Sequence, residues 1–302
     1  MHLTIRFTTY LLLPLLLLPQ AVVANNKSSL HVVVTIKPLH SLVASLTQGV
    51  TEPELLLTTT QSAHHTNLRP SDYRKLANAD IVFWAGAALE SFIPTLEKKH
   101  RQRTQFISLM KADGVVLLPI RGRHKDDHFE SHTNDPHFWL STNNARKIIS
   151  EITRTLITTD ASNKALYLKN KTQIFDRIHV LEKQLRKKLE NIKTPFITYH
   201  DAYQYFEKQF QLNRISSVSL NEETAPSIKQ IRSVKQLISE QQISCIFFEA
   251  PTKPPIINTL ISHTRAKAFE LDAIGLNLKA GPDLWFELLN NLGNQIKKCL
   301  RP

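Results

Sequence analysis

A chain of 302 residues is long enough for two domains with real cores, and a hydrophobic share of 42% excludes disorder and a polytopic membrane protein for the bulk of it. The formal net charge of +12 raises the question of nucleic acid. The Lys and Arg residues are scattered, apart from a run at 183–188, and no aromatics interleave with them, so a solvated helix face accounts for them and no nucleic-acid partner is expected.

At the N-terminus, Arg6 precedes an apolar block, Leu11 to Leu18, and Val22-Val23-Ala24 leads into polar Asn25-Asn26. That order predicts a secretory signal peptide over 1–24, cut after Ala24. The apolar block is short for a permanent anchor, and no Cys near the cut offers a lipid site. His31 to Ile36 then reads as a buried strand, Leu39 to Leu46 as a helix, and Leu55-Leu56-Leu57 as a second strand entering a polar loop. A helix opens at Arg69-Pro70-Ser71-Asp72 and runs to Asn78, with Pro70 in its first turn. Ile81 to Trp84 is a third strand, a helix follows over Leu89 to Glu97, and Phe106 to Leu109 is a fourth strand. Such alternation implies βαβ units and a mostly parallel sheet, an α/β fold.

The next stretch is the densest in chemistry: HKDDHFESHTNDPHFWLS, His124 to Ser141. His124, His128 and His132 recur every four residues among Asp126, Asp127, Glu130 and Asp135, and His137 follows. Imidazole and carboxylate in this density suit a borderline-soft divalent metal. From Asn143 to about Asn191 the pattern is helical. Ile174, Ile178, Leu181, Leu185 and Leu189 make one stripe, and no Pro or Gly interrupts Asp160 to Thr194. One long helix over 159–192 joining two lobes, 25–158 (with a His-rich loop at 121–136) and 193–302, is the simplest layout, with a cleft between them. The alternation then resumes with strands at Phe196 to Tyr199, Arg214 to Leu220, Cys245 to Phe248 and Ala268 to Leu271, and a last helix from Asp283 to about Cys299. Cys245 and Cys299 are the two cysteines. In an oxidising compartment a lone pair is usually a disulfide; two free buried thiols are the alternative.

No GxGxxG, P-loop, GxSxG or HExxH pattern occurs. Among 13 histidines, His31, His100, His179 and His263 lack acidic companions and read as structural or solvated. His64, His137 and His200 stand just past strand-like runs or in polar loops, where open α/β sheets bind ligands. Asp201 could accept the other ring proton of His200 or cap the following helix.

These residues carry a resemblance. Pro38-Leu39-His40-Ser41-Leu42, Glu52 to Leu57, and His64 four residues before Leu68-Arg69-Pro70-Ser71-Asp72 resemble the first lobe of zinc-uptake solute-binding proteins of bacterial ABC transporters. Ala79-Asp80, Trp84, Asp135 to Ser141, Tyr199-His200-Asp201-Ala202-Tyr203, Tyr205-Phe206-Glu207, Leu271-Asp272 and Gly281 to Leu284 continue it over nearly the whole mature chain. The resemblance implies two Rossmann-like lobes joined by a rigid long helix, a disulfide between Cys245 and Cys299, a periplasmic location, and one metal in the cleft. Its three histidine ligands map onto His64, His137 and His200, with Asp272 or water as the fourth. Histidine in the third position, where manganese-binding relatives use Glu, implies Zn²⁺, in line with imidazole preference. Position 63 is Ala where some relatives place Glu, and His65 could substitute for His64.

The implied function is capture of Zn²⁺ as cargo and its delivery to an inner-membrane ABC permease by a monomer that is not an enzyme. His124, His128 and His132 would collect zinc weakly. The rival is a secreted zinc hydrolase on the same histidines, with Glu249 or Asp272 as general base; a manganese-binding or adhesin relative of the same fold is a third reading.

Overall fold

The computed structural model describes residues 2, 30–58, 68–121, 134–219, 225–249 and 253–301. In chain order the first half holds β1 (Val32–Val34), α1 (Lys37–Leu46), β2 (Glu54–Leu55), α2 (Pro70–Asn78), β3 (Ile81–Trp84), α3 (Ile93–His100) and β4 (Gln105–Ser108). Two helices follow, α4 (Thr142–Thr159) and α5 (Lys164–Leu189). The second half holds β5 (Phe196–Thr198), α6 (Gln204–Phe210), β6 (Arg214–Ser217), α7 (Ile228–Glu240), β7 (Cys245–Glu249), α8 (Pro255–Ile261), β8 (Lys267–Leu271) and α9 (Leu284–Leu300).

The strands form two four-stranded sheets, ordered β2-β1-β3-β4 and β6-β5-β7-β8. Every ladder in both is parallel. Parallel pairing follows from the crossover helices, and burial on both faces explains why β1 and β3 are unbroken apolar runs. All eight expected strands are present. The first ends at Val34, two residues early, because Ile36 takes the extended N-cap position of α1, with a proline in its first turn.

The expected helical stretch after Asn143 is two helices. Its break lies at Asp160, whose carboxylate accepts from Ser162 Oγ at 2.5 Å, Asn163 Nδ2 at 2.7 Å and Tyr167 OH at 2.9 Å. A side chain that competes this well for local donors ends one helix and starts the next. On α5 the buried stripe is Tyr167, Asn170, Ile174, Ile178, Leu181, Leu185 and Leu189, which contains the five positions expected from the spacing. α5 packs against α1, α4 and α9, so it serves both halves of the molecule. Asn170 donates to the carbonyls of Leu46 at 2.9 Å and Gln48 at 3.0 Å, satisfying the open end of α1. At the α5–α9 crossing, a Cβ on Gly293 would lie 2.5 Å from Leu185 Cδ2, so any larger residue there would force the Leu185 side chain to move. Cys245 on β7 and Cys299 on α9 are joined as a disulfide, with Cα atoms 6.1 Å apart.

Candidate metal centre

His137 and His200 reach one point from opposite halves of the chain. His137 precedes a 3-10 turn, Phe138–Leu140, that leads into α4. His200 lies two residues past the carboxyl end of β5. Their ring centroids are 5.1 Å apart at an interplanar angle of 70°. Both are almost fully buried, at 4% and 3% exposure.

Each imidazole is held by a carboxylate at the same ring atom. His137 Nδ1 lies 2.7 Å from Asp135 Oδ1, which also accepts the His137 backbone N–H at 2.9 Å. His200 Nδ1 lies 2.9 Å from Glu249 Oε2. A carboxylate at Nδ1 fixes the tautomer with the proton on Nδ1 and makes Nε2 a more basic metal donor. With a carboxylate on Nδ1, each ring would offer Nε2 as the metal donor, the chemistry that suits zinc.

Asp135 is itself shared between the two halves. Its Oδ2 accepts from Gln204 Nε2 at 3.2 Å, and its backbone carbonyl accepts from Tyr205 OH at 2.7 Å. Trp139 completes the shoulder. Its ring sits 5.4 Å from that of His137, and its Nε1 donates to the Ala273 carbonyl at 2.9 Å. Trp285 Nε1 donates to the Trp139 carbonyl at 2.8 Å, so the indoles lock the two halves together beside the site.

Asp201 holds neither of the roles its position suggested. Its carboxylate is taken by Arg121 and faces Arg214, while Glu249, 49 residues from His200, takes the ring proton. The reason is topological. β5 and β7 are adjacent, with Thr198 beside Phe247, so His200, two residues past β5, meets Glu249, the last residue of β7, at the sheet's carboxyl edge. In the sequence Glu249 offers itself only as a candidate general base, because 49 residues separate it from His200.

Asp272 lies at the same edge, one residue past β8. Its Oδ1 accepts from the backbone N–H groups of Ile274 at 3.0 Å and Gly275 at 2.7 Å. Asp272 lines a cavity of about 240 Å³ shared with Leu288, Asn291 and Gln295 of α9, and neither histidine lines it. Among the described residues, no three His, Cys, Asp or Glu side chains are grouped to hold an ion. His64 and His65, and His124, His128 and His132, lie outside the described residues.

Comparison with known proteins follows the same line. The family model "ZnuA: Zinc-uptake complex component A periplasmic" matches residues 32–299. A protein of Brucella abortus named high-affinity zinc uptake system protein ZnuA is 32% identical over 307 residues, which cover 89% of this chain and 91% of its own. The protein of that name from Haemophilus ducreyi is 28% identical, over 89% and 93% of the two chains. A crystal structure titled as that of ZnuA matches with a TM-score of 0.79 at 18% identity, over 90% of this chain and 100% of the other, a likeness of fold.

Proposed function

The chain belongs to the ZnuA family of periplasmic zinc-uptake components, and from that premise we propose how it captures Zn²⁺ and gives it up. His137 and His200 hold the ion from the two lobes through Nε2, and His64 supplies the third imidazole. Asp272 or a water completes a near-tetrahedral set, at the usual zinc–nitrogen distance of about 2.0–2.1 Å. The observation that carries this reading is the 5.1 Å approach of the two buried rings, each with a carboxylate on Nδ1.

The lobes divide at the bounds read from the sequence, 25–158 and 193–302, with 159–192 between them. The mature protein begins after Ala24 and acts in the periplasm as a monomer; no helix of the described residues is long and apolar enough to cross a membrane. Its partner is an inner-membrane ABC permease, which takes the zinc by drawing the lobes apart. The protein binds without turnover. Glu249 has one oxygen committed to His200, which leaves it poorly placed as a general base for a hydrolase. His124, His128 and His132 form an auxiliary zinc-collecting loop.

The test is zinc binding by the mature protein measured by native mass spectrometry and calorimetry. One tightly held zinc per chain, lost in His137→Ala, is the expected result. Undiminished stoichiometric binding by His137→Ala would overturn the ligand set.

A further inference from the structure

Beside the zinc site, Arg121 reaches from the first half of the chain into the second. It lies in the segment after β4, 16 positions before His137. All three of its guanidinium nitrogens are used. Nε donates to Asp201 Oδ2 at 2.9 Å, Nη2 donates to Asp201 Oδ1, and Nη1 donates to Glu207 Oε2 at 2.7 Å. The carboxylates that receive it are almost sealed from water, with side chains 6% and 5% exposed. Arg214 on β6 stands behind them at a looser range, 3.6 Å from Asp201 and 3.4 Å from Glu207. The four charges balance as two cations and two anions, which is the condition for leaving ions in a buried place.

The position of this cluster matters more than its balance. Asp201 follows His200 directly, so the fork on Asp201 also fixes the backbone that carries His200. The fork comes from the half of the molecule that carries His137. This contact therefore bears on both the backbone of His200 and its separation from His137, beside the Glu249 contact on the ring and the indole contacts between the halves. Nearby, Leu118 N donates to Tyr205 OH at 3.0 Å and Gln204 Nε2 donates to the Pro119 carbonyl at 3.0 Å, so residues 118–121 lie along α6 as one strap. Arg121 supplies the only charged bonds of that strap. A bidentate guanidinium fork has a fixed geometry that an ammonium lacks.

We propose that Arg121 is a positioning residue for zinc retention: an interlobe clasp that, by gripping Asp201 and Glu207, holds His200 opposite His137 and must be released before zinc can leave. This rests on the reading that zinc is held between those two histidines. It predicts that the clasp acts mainly on the rate of zinc loss. The ligands remain when Arg121 is removed, but they are no longer held at the separation that binds.

The experiment measures zinc dissociation from the full mature chain, using a fluorescent chelator in excess, for wild type, Arg121→Ala and Arg121→Lys. Melting of the zinc-free proteins is followed in parallel. Wild type that fails to hold zinc would overturn the ligand reading, and with it the clasp that rests on it. With wild type loaded, the expected result is a rise in dissociation rate of about 10- to 100-fold for Arg121→Ala, the range for lost outer-shell support. Arg121→Lys should fall between. A clasp that only stabilised the fold would lower the melting of zinc-free and zinc-loaded protein alike and leave the dissociation rate unchanged; that result overturns the proposal. If Arg121→Ala does not fold, Arg121→Lys decides: a wild-type rate in a folded Lys variant also overturns it.

Discussion

His200 and Glu249 stand at the ends of adjacent parallel strands, and the imidazole Nδ1 meets the carboxylate Oε2 at 2.9 Å. His137 has the same arrangement with Asp135, at 2.7 Å. Glu249→Gln and Asp135→Asn should each lower zinc affinity about 10- to 100-fold while the protein stays folded, because outer-shell carboxylates orient the ring without touching the metal. Calorimetric titration of each variant checks this. A wild-type affinity in both would mean that the carboxylates merely cap buried rings.

Direct ligand loss should be more severe. His200→Ala and His64→Ala are each expected to abolish the tight zinc equivalent that native mass spectrometry detects. His65→Ala should leave it in place. The reverse outcome at 64 and 65 would move the third ligand by one residue.

Metal selectivity follows from the donor type. Imidazole nitrogens suit zinc, whereas manganese prefers oxygen. In competition between the two ions at equal concentration, the protein should emerge with zinc. A second, weaker zinc equivalent that disappears in the triple variant His124→Ala/His128→Ala/His132→Ala would assign the collecting role to that loop, and its persistence would remove that role.

Glu90 carries a pH dependence that has nothing to do with metal. It is fully buried, and desolvation pushes its carboxyl up to about 7 from an ordinary 4.5, against hydrogen bonds from Thr35, Gly86 and Ala85 that pull it down. Between those two values the folded protein holds a proton that the unfolded chain releases. Its contribution is therefore complete below about 4.5 and is lost as pH rises through about 7. The loss is of order ~3 kcal/mol, at about 1.4 kcal/mol per pH unit. Urea unfolding at pH 5 and pH 8 should show a smaller drop in Glu90→Gln than in wild type. Identical drops would place the pH dependence elsewhere.

The disulfide closes a separation of 54 residues and ties β7, the strand that ends in Glu249, to α9. In the chain-entropy model its reduction should cost about 4 kcal/mol. A Cys245→Ser/Cys299→Ser variant should melt lower by several degrees yet bind zinc when folded. Unchanged melting would show that the reduced chain is already as constrained as the oxidised one.

Much of this architecture was legible in the residues. Short apolar runs between amphipathic segments placed all eight strands within a few positions, most sharply the inner strands β1, β3 and β5, because parallel strands buried on both faces have little freedom of composition. The position of His200 just past β5 was legible too, whereas His137 stands before a 3-10 turn and not at a strand end. What stayed hidden depends on which strands are neighbours. Glu249 reaches His200 only because β7 lies beside β5, and Asp201 turns from His200 to Arg121, 80 positions away. The helix break at Asp160 was hidden too, since it rests on three side-chain donors converging on one carboxylate.

The strand order has one more consequence, in time rather than in space. In both sheets the earliest strand sits inside, flanked by strands that follow it in the chain, and no pair is a hairpin. Each ladder must wait for a helical crossover to close, which makes such topologies slow to form. A chain whose ladders all close through crossovers stays open longer than one built of hairpins.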